Sequence, residues 1–479
     1  MNGVMKILNT SKNTIYIEEL DLYLPFTNEP QELETDFLKR SKSLRNAIIQ
    51  GILEVVEYNP NERIEASVVY LHKNHSPKKE EHTEPEEIQE ELQEIILNST
   101  TNGIEVKFHG IFFDGGGYAK VNRNLVQKLS EAGIKIKIDP KHCQNELTEK
   151  ELAPIKKLMQ TSLSKNHISI DSVIPSFGEF SSSKYPILYT TVESYTIPKQ
   201  FIECCQYYRE IWCTSPFAKR ILEQYVKDKP IYVIPAGSDP ELYCEYGPKF
   251  DFKPNIKNFV FLSVFGWSYR KGYDVLLRAY FEEFNASEDV SLLIASRYQN
   301  GTSRFHKEKI KEDINKIVKE FPNKDIPHVV RYSQMIPEYQ MPQLYRSAHC
   351  FVLPSRGESS CLCSPEASLC GLPVIMTNVS GQQMYLREDN AFLVEMDYLE
   401  EIKQGQMHLH YWDNQKFPAL KERKVVEQLK QHMRYVFNNL EKAKDKNKNL
   451  QKLIKQNYTW THTANAAIER LKEIKAKNL

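Results

Sequence analysis

With 479 residues the chain is too long for one hydrophobic core, and roughly two to four domains are expected. Its 63 basic residues balance 63 acidic ones and the pI is near 7.2, so no overall field draws it to nucleic acid or an anionic bilayer. No stretch reaches the ~18 apolar residues of a membrane span, and the opening MNGVMKILNTSKNT lacks the apolar core of a secretory signal, so a soluble cytoplasmic protein with no transmembrane segment is expected.

Residues 1–72 alternate apolar and polar in short runs (TIYIEELDLYL, ASVVYL) around one predicted helix, Ser43 to Val55, and read as a small β-rich module. Residues 73–103 form an acidic linker: between Ser76 and Ser99 there are eight acidic residues against two basic ones, with two prolines. At Ile104 the pattern changes. IEVKFHGIFF reads as a strand, Asp114 to Gly117 as a tight turn, and Tyr118, Val121, Leu125 and Leu129 recur at helical spacing before the strand KIKI at Lys135 to Ile138, which makes a βαβ unit. Further strands are predicted at Ile187 to Val192, Glu210 to Thr214 and Ile231 to Ile234, with a helix from Pro216 to about Val226, so residues 104–244 read as one α/β domain.

The turn-rich segment Glu245 to Asn258 marks a boundary, and the alternation then restarts. Strands at Phe259 to Phe265, Ser291 to Ser296, His328 to Tyr332, Cys350 to Pro354, Pro373 to Met376 and Ala391 to Val394 give a second parallel sheet over 245–398. The fold class is therefore α/β, two Rossmann-like domains in tandem. After about Tyr398 the chain is read as helical and basic through 399–479, with 16 Lys or Arg against six acids from Lys416 onward and one apolar stripe of Val425, Leu429, Met433 and Val436, which predicts helices packing back on the core.

Nine scattered cysteines, including the pairs Cys204/Cys205 and Cys361/Cys363, fit reduced core or wall thiols better than a disulfide framework or a zinc ribbon. The His408/His410 pair has no suitably spaced partner and reads as surface.

Two stretches carry chemistry. GWSYRKG, Gly266 to Gly272, leaves a strand and precedes a helix, so Arg270 and Lys271 are placed to neutralise phosphate oxygens, with Gly272 letting a ligand approach; a solvated turn is the plain alternative. In GESSCLCSPEA, Gly357 to Ala367, the small residues Ser359, Ser360 and Cys361, with Leu362 beside them, present backbone N–H groups at a helix start where a diphosphate is stabilised. Glu358 and Glu366 flank that loop and can accept sugar hydroxyls; a helix-capping acid plus an unrelated surface acid is the alternative. Glu193 ends a strand and either orients an acceptor or sugar or is a surface acid before a turn.

From about Phe108 to Ile474 the chain resembles a glycosyltransferase of family 4 (glycosyl transferases group 1), retaining enzymes whose GT-B fold sets two Rossmann-like domains across a cleft. Glu358 and Glu366 match the family's E-x7-E motif, Lys271 and Gly272 its basic turn, Gly115 to Gly117 its glycine loop, and Thr459 and Trp460 its late T-W; CGLPVIMTNVSG, Cys370 to Gly381, is similar to the stretch that returns a loop to the donor diphosphate. The resemblance implies a nucleotide-diphosphate sugar donor, UDP-linked by preference and GDP-linked as the other choice, held mainly by the second domain, and a glycan, protein or lipid acceptor. By the same resemblance Glu366 holds the ribose hydroxyls, Glu358 touches the transferred sugar, Lys271 helped by Arg270 stabilises the leaving diphosphate, Gly116 and Gly117 approach the phosphates from the first domain, and backbone near Gln334 and Met335 contacts the base. No cofactor or metal is required.

Two positions depart from the family pattern: Trp267 stands where an arginine is common, and Pro235-Ala236-Gly237 where Pro-His-Gly is common. Two other function classes compete with this one. A degenerate GT-B scaffold attached to an assembly through a protein partner of residues 1–72 is the main alternative, and a nicotinamide oxidoreductase is disfavoured because Gly115-Gly116-Gly117 lacks the G-x-G-x-x-G spacing.

Overall fold

The structure is a computed structural model, and it describes the backbone of five N-terminal strands together with residues 101–477 other than 102, 142–145, 176–182, 251, 253–255, 298–303, 397, 404–411 and 422. The chain divides into two compact units, one of Met1–Glu105 with Lys128–Ile136 and one of Val106–Gln127 with Lys137–Leu479, which holds the second parallel sheet and most of the first. In the first, the strands are β1 (Val4–Asn9), β2 (Ile15–Ile17), β3 (Leu22–Leu24), β4 (Gln31–Glu34) and β5 (Leu53–Asn59). β1 pairs antiparallel with β4 on one side and β5 on the other, and β2 pairs with β3. The helix predicted for Ser43 to Val55 is contradicted at its end, because Leu53–Val55 open β5, where LEVVEYN alternates β-branched and aromatic residues with acids. The remainder of that helix, the strand read in ASVVYL, the acidic segment up to residue 100 and the His408/His410 pair lie outside the described residues.

After the N-terminal strands the elements run β6 (Glu105–Gly110), α1 (Gly117–Glu131), β7 (Lys135–Pro140), α2 (Glu149–Lys156), β8 (Ile168–Ser172), β9 (Tyr185–Thr190), α3 (Lys199–Cys205), β10 (Glu210–Cys213), α4 (Pro216–Tyr225) and β11 (Ile231–Val233). The sheet order is β11-β10-β9-β8-β6-β7, with parallel registers from β6 through β8, β9 and β10 to β11. Local chemistry sets the helix starts. Ser215 caps α4, its Oγ accepting from Ala218 N at 3.2 Å, and Pro216 occupies the first turn, where its missing N–H costs nothing. The sequence reading passed over β8, whose HISIDS looks like loop. Its polar residues are buried because each finds a partner: the Tyr208 hydroxyl donates to Asp171 (3.1 Å) and Ser172 Oγ to Asn122 Oδ1 (2.6 Å).

The second sheet is built from β12 (Phe259–Gly266), α5 (Tyr273–Glu283), β13 (Val290–Arg297), α6 (Arg304–Val318), β14 (His328–Tyr332), α7 (Met341–Arg346), β15 (Cys350–Leu353), α8 (Cys363–Leu369), β16 (Val374–Thr377) and β17 (Phe392–Val394). Its order is β14-β13-β12-β15-β16-β17, all parallel. These strands read as nearly unbroken apolar runs because helices cover both faces. In each sheet the chain starts at an inner strand, winds one way, then returns to the other side. The reversal points lie between β6 and β8 and between β12 and β15, the crevices where open α/β sheets bind ligands.

Residues 399–418 correct the helical reading. β18 (Leu399–Glu401) and β19 (Lys416–Pro418) form an antiparallel ribbon, held by Ile402, Trp412 and Phe417, which bury against Tyr269. Three helices follow, α9 (Arg423–Asn438), α10 (Leu440–Asn457) and α11 (Trp460–Ala476). The stripe Val425, Leu429, Met433, Val436 is buried on the second sheet's core, each side chain stabilising by about 1.5–3 kcal/mol. α11 instead joins the first sheet. Arg470 Nε and Nη2 donate to Glu210 at 3.0 and 2.6 Å, and Glu210 on β10 is fully buried, so an uncompensated charge there would be expensive. The passage between domains is tight: Ser238 N donates to Tyr458 O (2.9 Å), Trp460 N to Ser238 O (3.2 Å), and a Cβ on Gly237 would lie 2.5 Å from Thr459 C. No helix among the described residues is long and apolar enough to cross a membrane.

Candidate functional site

β12 ends at Gly266, and the chain turns through Tyr269–Lys271 in a single 3-10 turn closed by Gly272 at φ +71°. A Cβ on Gly272 would lie 1.8 Å from Pro354 O, so the glycine serves a backbone-to-backbone contact with the end of β15; the expectation that it makes room for a ligand is corrected. Arg356 fastens the turn from below. Fully buried, it donates to Tyr269 O (2.7 Å), pairs with both Asp274 oxygens (2.9 and 3.0 Å) and stacks 3.6 Å over the Tyr269 ring. Trp267 is not a cleft residue. Its ring is buried, stacked 4.2 Å from Tyr273, with Nε1 donating to Asp313 (3.2 Å). At this strand end the guanidinium that lines the cleft is that of Arg270.

Those two cations meet Glu358 at the end of β15. Lys271 Nζ lies 2.6 and 2.8 Å from its oxygens, Arg270 Nη1 3.3 Å, and Ser355 Oγ donates at 2.6 Å. Burial works to raise the Glu358 pKa, but Lys271 and Arg270 outweigh it and hold the carboxyl below its ordinary range. Arg270 also donates to Gly357 O. The loop after Glu358 is strained and closely packed: Cys361 (φ 53°) and Ser380 (φ 52°) are non-glycine residues in the left-handed region, and a Cβ on Gly381 would lie 1.7 Å from Ser359 O. Such strain persists only where neighbours over-determine it. Here Gly381 N donates to Glu358 O and Glu358 N to Ser380 Oγ (2.8 and 2.9 Å). Ser359 Oγ reaches the first sheet, accepting from Val192 N (3.2 Å) and meeting Thr214 Oγ1 (2.6 Å). α8 starts at Cys363, so the N–H groups of Ser360 and Cys361 precede the helix rather than open it, and neither has a partner among the described residues.

Glu366 lies one helical turn into α8. Its oxygens are taken by Lys120 Nζ and by the Tyr345 hydroxyl (2.9 Å), and burial raises its pKa more than Lys120 lowers it. Lys120 belongs to the first turn of α1, where its N–H donates to Gly116 O (3.0 Å); its ammonium also meets Tyr243 OH (2.7 Å) and Glu338 (3.1 Å). Arg123 reaches the same Glu338 at 3.5 Å. A second cross-cleft pair joins Arg297 at the end of β13 to Glu146 (3.1 and 3.2 Å).

These groups enclose one cavity of about 660 Å³ at the carboxyl edges of both sheets. The catalytic and donor-binding residues expected from the sequence lie on its wall: Arg270, Lys271, Glu358 and Glu366; Ser360, Cys361 and Leu362; Gln334 and Met335 beyond β14; Gly116, Gly117 and Glu193 from the first domain. Gly117 faces open space, since a Cβ there would meet nothing within 4 Å, whereas one on Gly115 would strike Met335 Cε at 2.2 Å. Glu193 sits beside the Glu358 cluster. Burial and the Glu358 charge raise its pKa against the pull of Arg270 and Lys271.

Residues 256–409 match the family model described as glycosyl transferases group 1. Over 117 residues the chain is 30% identical to D-inositol 3-phosphate glycosyltransferase 1 of Catenulispora acidiphila, a match covering 24% of this chain and 27% of that one, so it spans about a quarter of the curated relative. Sucrose-phosphate synthase of Thermosynechococcus elongatus superposes over 78% of this chain and 100% of its own at 15% identity with a TM-score of 0.55. The α,α-trehalose 6-phosphate synthase of Burkholderia multivorans does so over 78% and 99% at 10% identity with a TM-score of 0.54. Anabaena HepE, in complex with UDP and glucose, covers 77% and 100% at 12% identity with a TM-score of 0.50.

The fold is GT-B.

Within this GT-B fold, sequence reasoning missed the residues that reach across the cleft: Lys120, Arg123, Glu338 and the pair Arg297–Glu146. For Lys120 a signal existed. It stands four residues after Gly116, in the first turn of a helix that leaves a sheet edge, and so points back over the glycine loop. The other members pair across long sequence separations that no local pattern encodes.

Proposed function

We propose that this protein is a retaining glycosyltransferase that moves a sugar from a nucleotide-diphosphate donor, UDP-linked in preference to GDP-linked, to a glycan, protein or lipid acceptor. The main support is one cavity in which Lys271 and Arg270 from one strand end meet Glu358 from the next, with Glu366 on the helix that follows. In this reading the two cations and the free N–H groups of Ser360 and Cys361 face the diphosphate, with Leu362 beside them. Gly116 and Gly117 approach the phosphates from the other wall, Glu366 takes the ribose, and the backbone near Gln334 and Met335 meets the base. Glu358, its own charge held by Lys271, contacts the transferred sugar, and Glu193 faces the sugar or the acceptor.

The acceptor oxygen bonds to the anomeric carbon on the face the diphosphate leaves, the carbon–oxygen bond to the diphosphate breaks, and a donor phosphate oxygen takes the acceptor's proton. Negative charge then grows on the leaving group, where fixed cations and dipoles stabilise it without reorganising. The preference for UDP draws on the Anabaena neighbour, which holds UDP and glucose. Incubating the pure chain with UDP-, GDP- and ADP-sugars is expected to give slow donor hydrolysis with one of them, abolished in Glu358→Gln. Absence of binding to every donor would overturn the reading.

A further inference from the structure

The donor reading leaves Lys120 unexplained. Its side chain is 13% exposed, yet its ammonium is ringed by Glu366, Glu338 at 3.1 Å and the Tyr243 hydroxyl at 2.7 Å, with the Tyr243 ring 4.7 Å away. Two carboxylates for one ammonium, nearly out of water, is a costly arrangement if its only purpose were to tie two domains together. Lys120, Glu338 and Glu366 all face the cavity. A carboxylate accepts up to about four hydrogen bonds, and Glu366 has one partner on each oxygen, so both oxygens retain capacity. The ammonium's three N–H groups are all engaged. Glu338 is its most distant partner and has Arg123 as a second cation, so that contact is the exchangeable one.

We propose that Lys120 reads the ribose of the nucleotide from the first domain: it gives up Glu338 and donates to the oxygen of a ribose hydroxyl whose proton Glu366 accepts from the second domain. This rests on the donor reading of Glu366 given above. The ribose is then gripped from both sides of the cleft, and a nucleotide lacking that hydroxyl leaves a buried ammonium hydrogen and a carboxylate lone pair without partners. A second effect follows from what surrounds Glu366. Lys120 on α1 is the cation against it, while Glu338 in the turn before α7, Tyr345 on α7, Tyr243 after β11 and Cys363 on α8 are neutral or negative. Without Lys120, burial holds Glu366 protonated to higher pH, and a protonated carboxyl is a poorer acceptor for a hydroxyl.

The test is isothermal titration of the full chain with UDP, GDP and ADP, followed by the 2′-deoxy and 3′-deoxy forms of the tightest binder, on wild type, Lys120→Met and Lys120→Gln. Wild type is expected to prefer the ribonucleotide over one deoxy form by about tenfold or more. Lys120→Met is expected to lose about tenfold in affinity for the ribonucleotide and most of that preference, and its affinity is expected to climb with pH over a higher range than that of wild type, in which Lys120 pulls the Glu366 pKa down. If Lys120→Met does not fold, Lys120→Gln carries the comparison, since it removes the charge while keeping a polar side chain one bond shorter. A variant that weakens ribo- and deoxynucleotides alike, or neither, overturns the inference while leaving the donor reading intact. A wild type that binds none of the three diphosphates overturns both.

Discussion

Replacing Lys271 by Met removes an ammonium held at 2.6 and 2.8 Å from the two oxygens of a carboxylate that is 5% exposed. Glu358 keeps Arg270 at 3.3 Å and the Ser355 hydroxyl at 2.6 Å, so its charge is under-compensated rather than bare. The stability loss is therefore set nearer a lost charge-assisted hydrogen bond, about 2 kcal/mol, than the full cost of an orphaned buried ion. The loss in turnover is expected to be larger, about 10²–10³-fold, because a cation facing a leaving diphosphate acts where charge develops. Donor hydrolysis and urea unfolding, run on the same preparation, separate the two. The Glu358 pKa is held below its unfolded value of about 4.3, so its contribution is present above that pH and is lost as pH falls through the lower native value. In Lys271→Met the native value climbs toward the unfolded one, and the acid limb of the stability curve flattens. Adding Glu358→Gln then costs less than it does in wild type, since the partner it would have orphaned is gone. Turnover within about threefold of wild type, alongside the expected stability loss, would make Lys271 a structural residue and refute the reasoning.

Three further outcomes are expected. Gly272→Ala combines a φ of +71° with a Cβ 1.8 Å from Pro354 O, so urea unfolding should register a loss above about 3 kcal/mol, and a mild effect would contradict the packing described. Gly117→Ala places a methyl in open space; stability should change by less than about 1 kcal/mol while affinity for the donor nucleotide falls, and unchanged affinity would remove the glycine from the phosphate wall. Arg470→Met leaves Glu210, among the described residues, with Trp212 Nε1 (2.7 Å) and the Tyr185 hydroxyl (2.9 Å), which should cost about 3–5 kcal/mol by the same unfolding measurement.

The second sheet was legible almost strand by strand, because runs such as VFLSVF and CFVL are long, apolar and bounded by turn residues. β8 was not, since Ser169, Asp171 and Ser172 look solvent-bound until the partners that satisfy them are seen. The ribbon β18–β19 was hidden for another reason: its anchor is a small aromatic cluster on Tyr269, more than a hundred residues earlier, and the surrounding lysines suggested helix. Site residues were legible where strand ends deliver them, as with Lys271 and Glu358. Contacts across the cleft were not, because Lys120 and Glu366 are 246 positions apart and their meeting depends on how two sheets face each other. Gly272 teaches the reverse lesson. A glycine beside a charged residue invites a ligand-based explanation, and a neighbouring carbonyl turns out to be the reason.

The pairing of Arg470 with Glu210 spans 260 positions. β10, with Glu210 at its head, is translated well before α11, which carries its countercharge. The carboxylate that the first sheet buries is thus balanced by a helix that follows the whole second domain in the chain, so the first domain's buried charge is balanced from outside its own run of sequence.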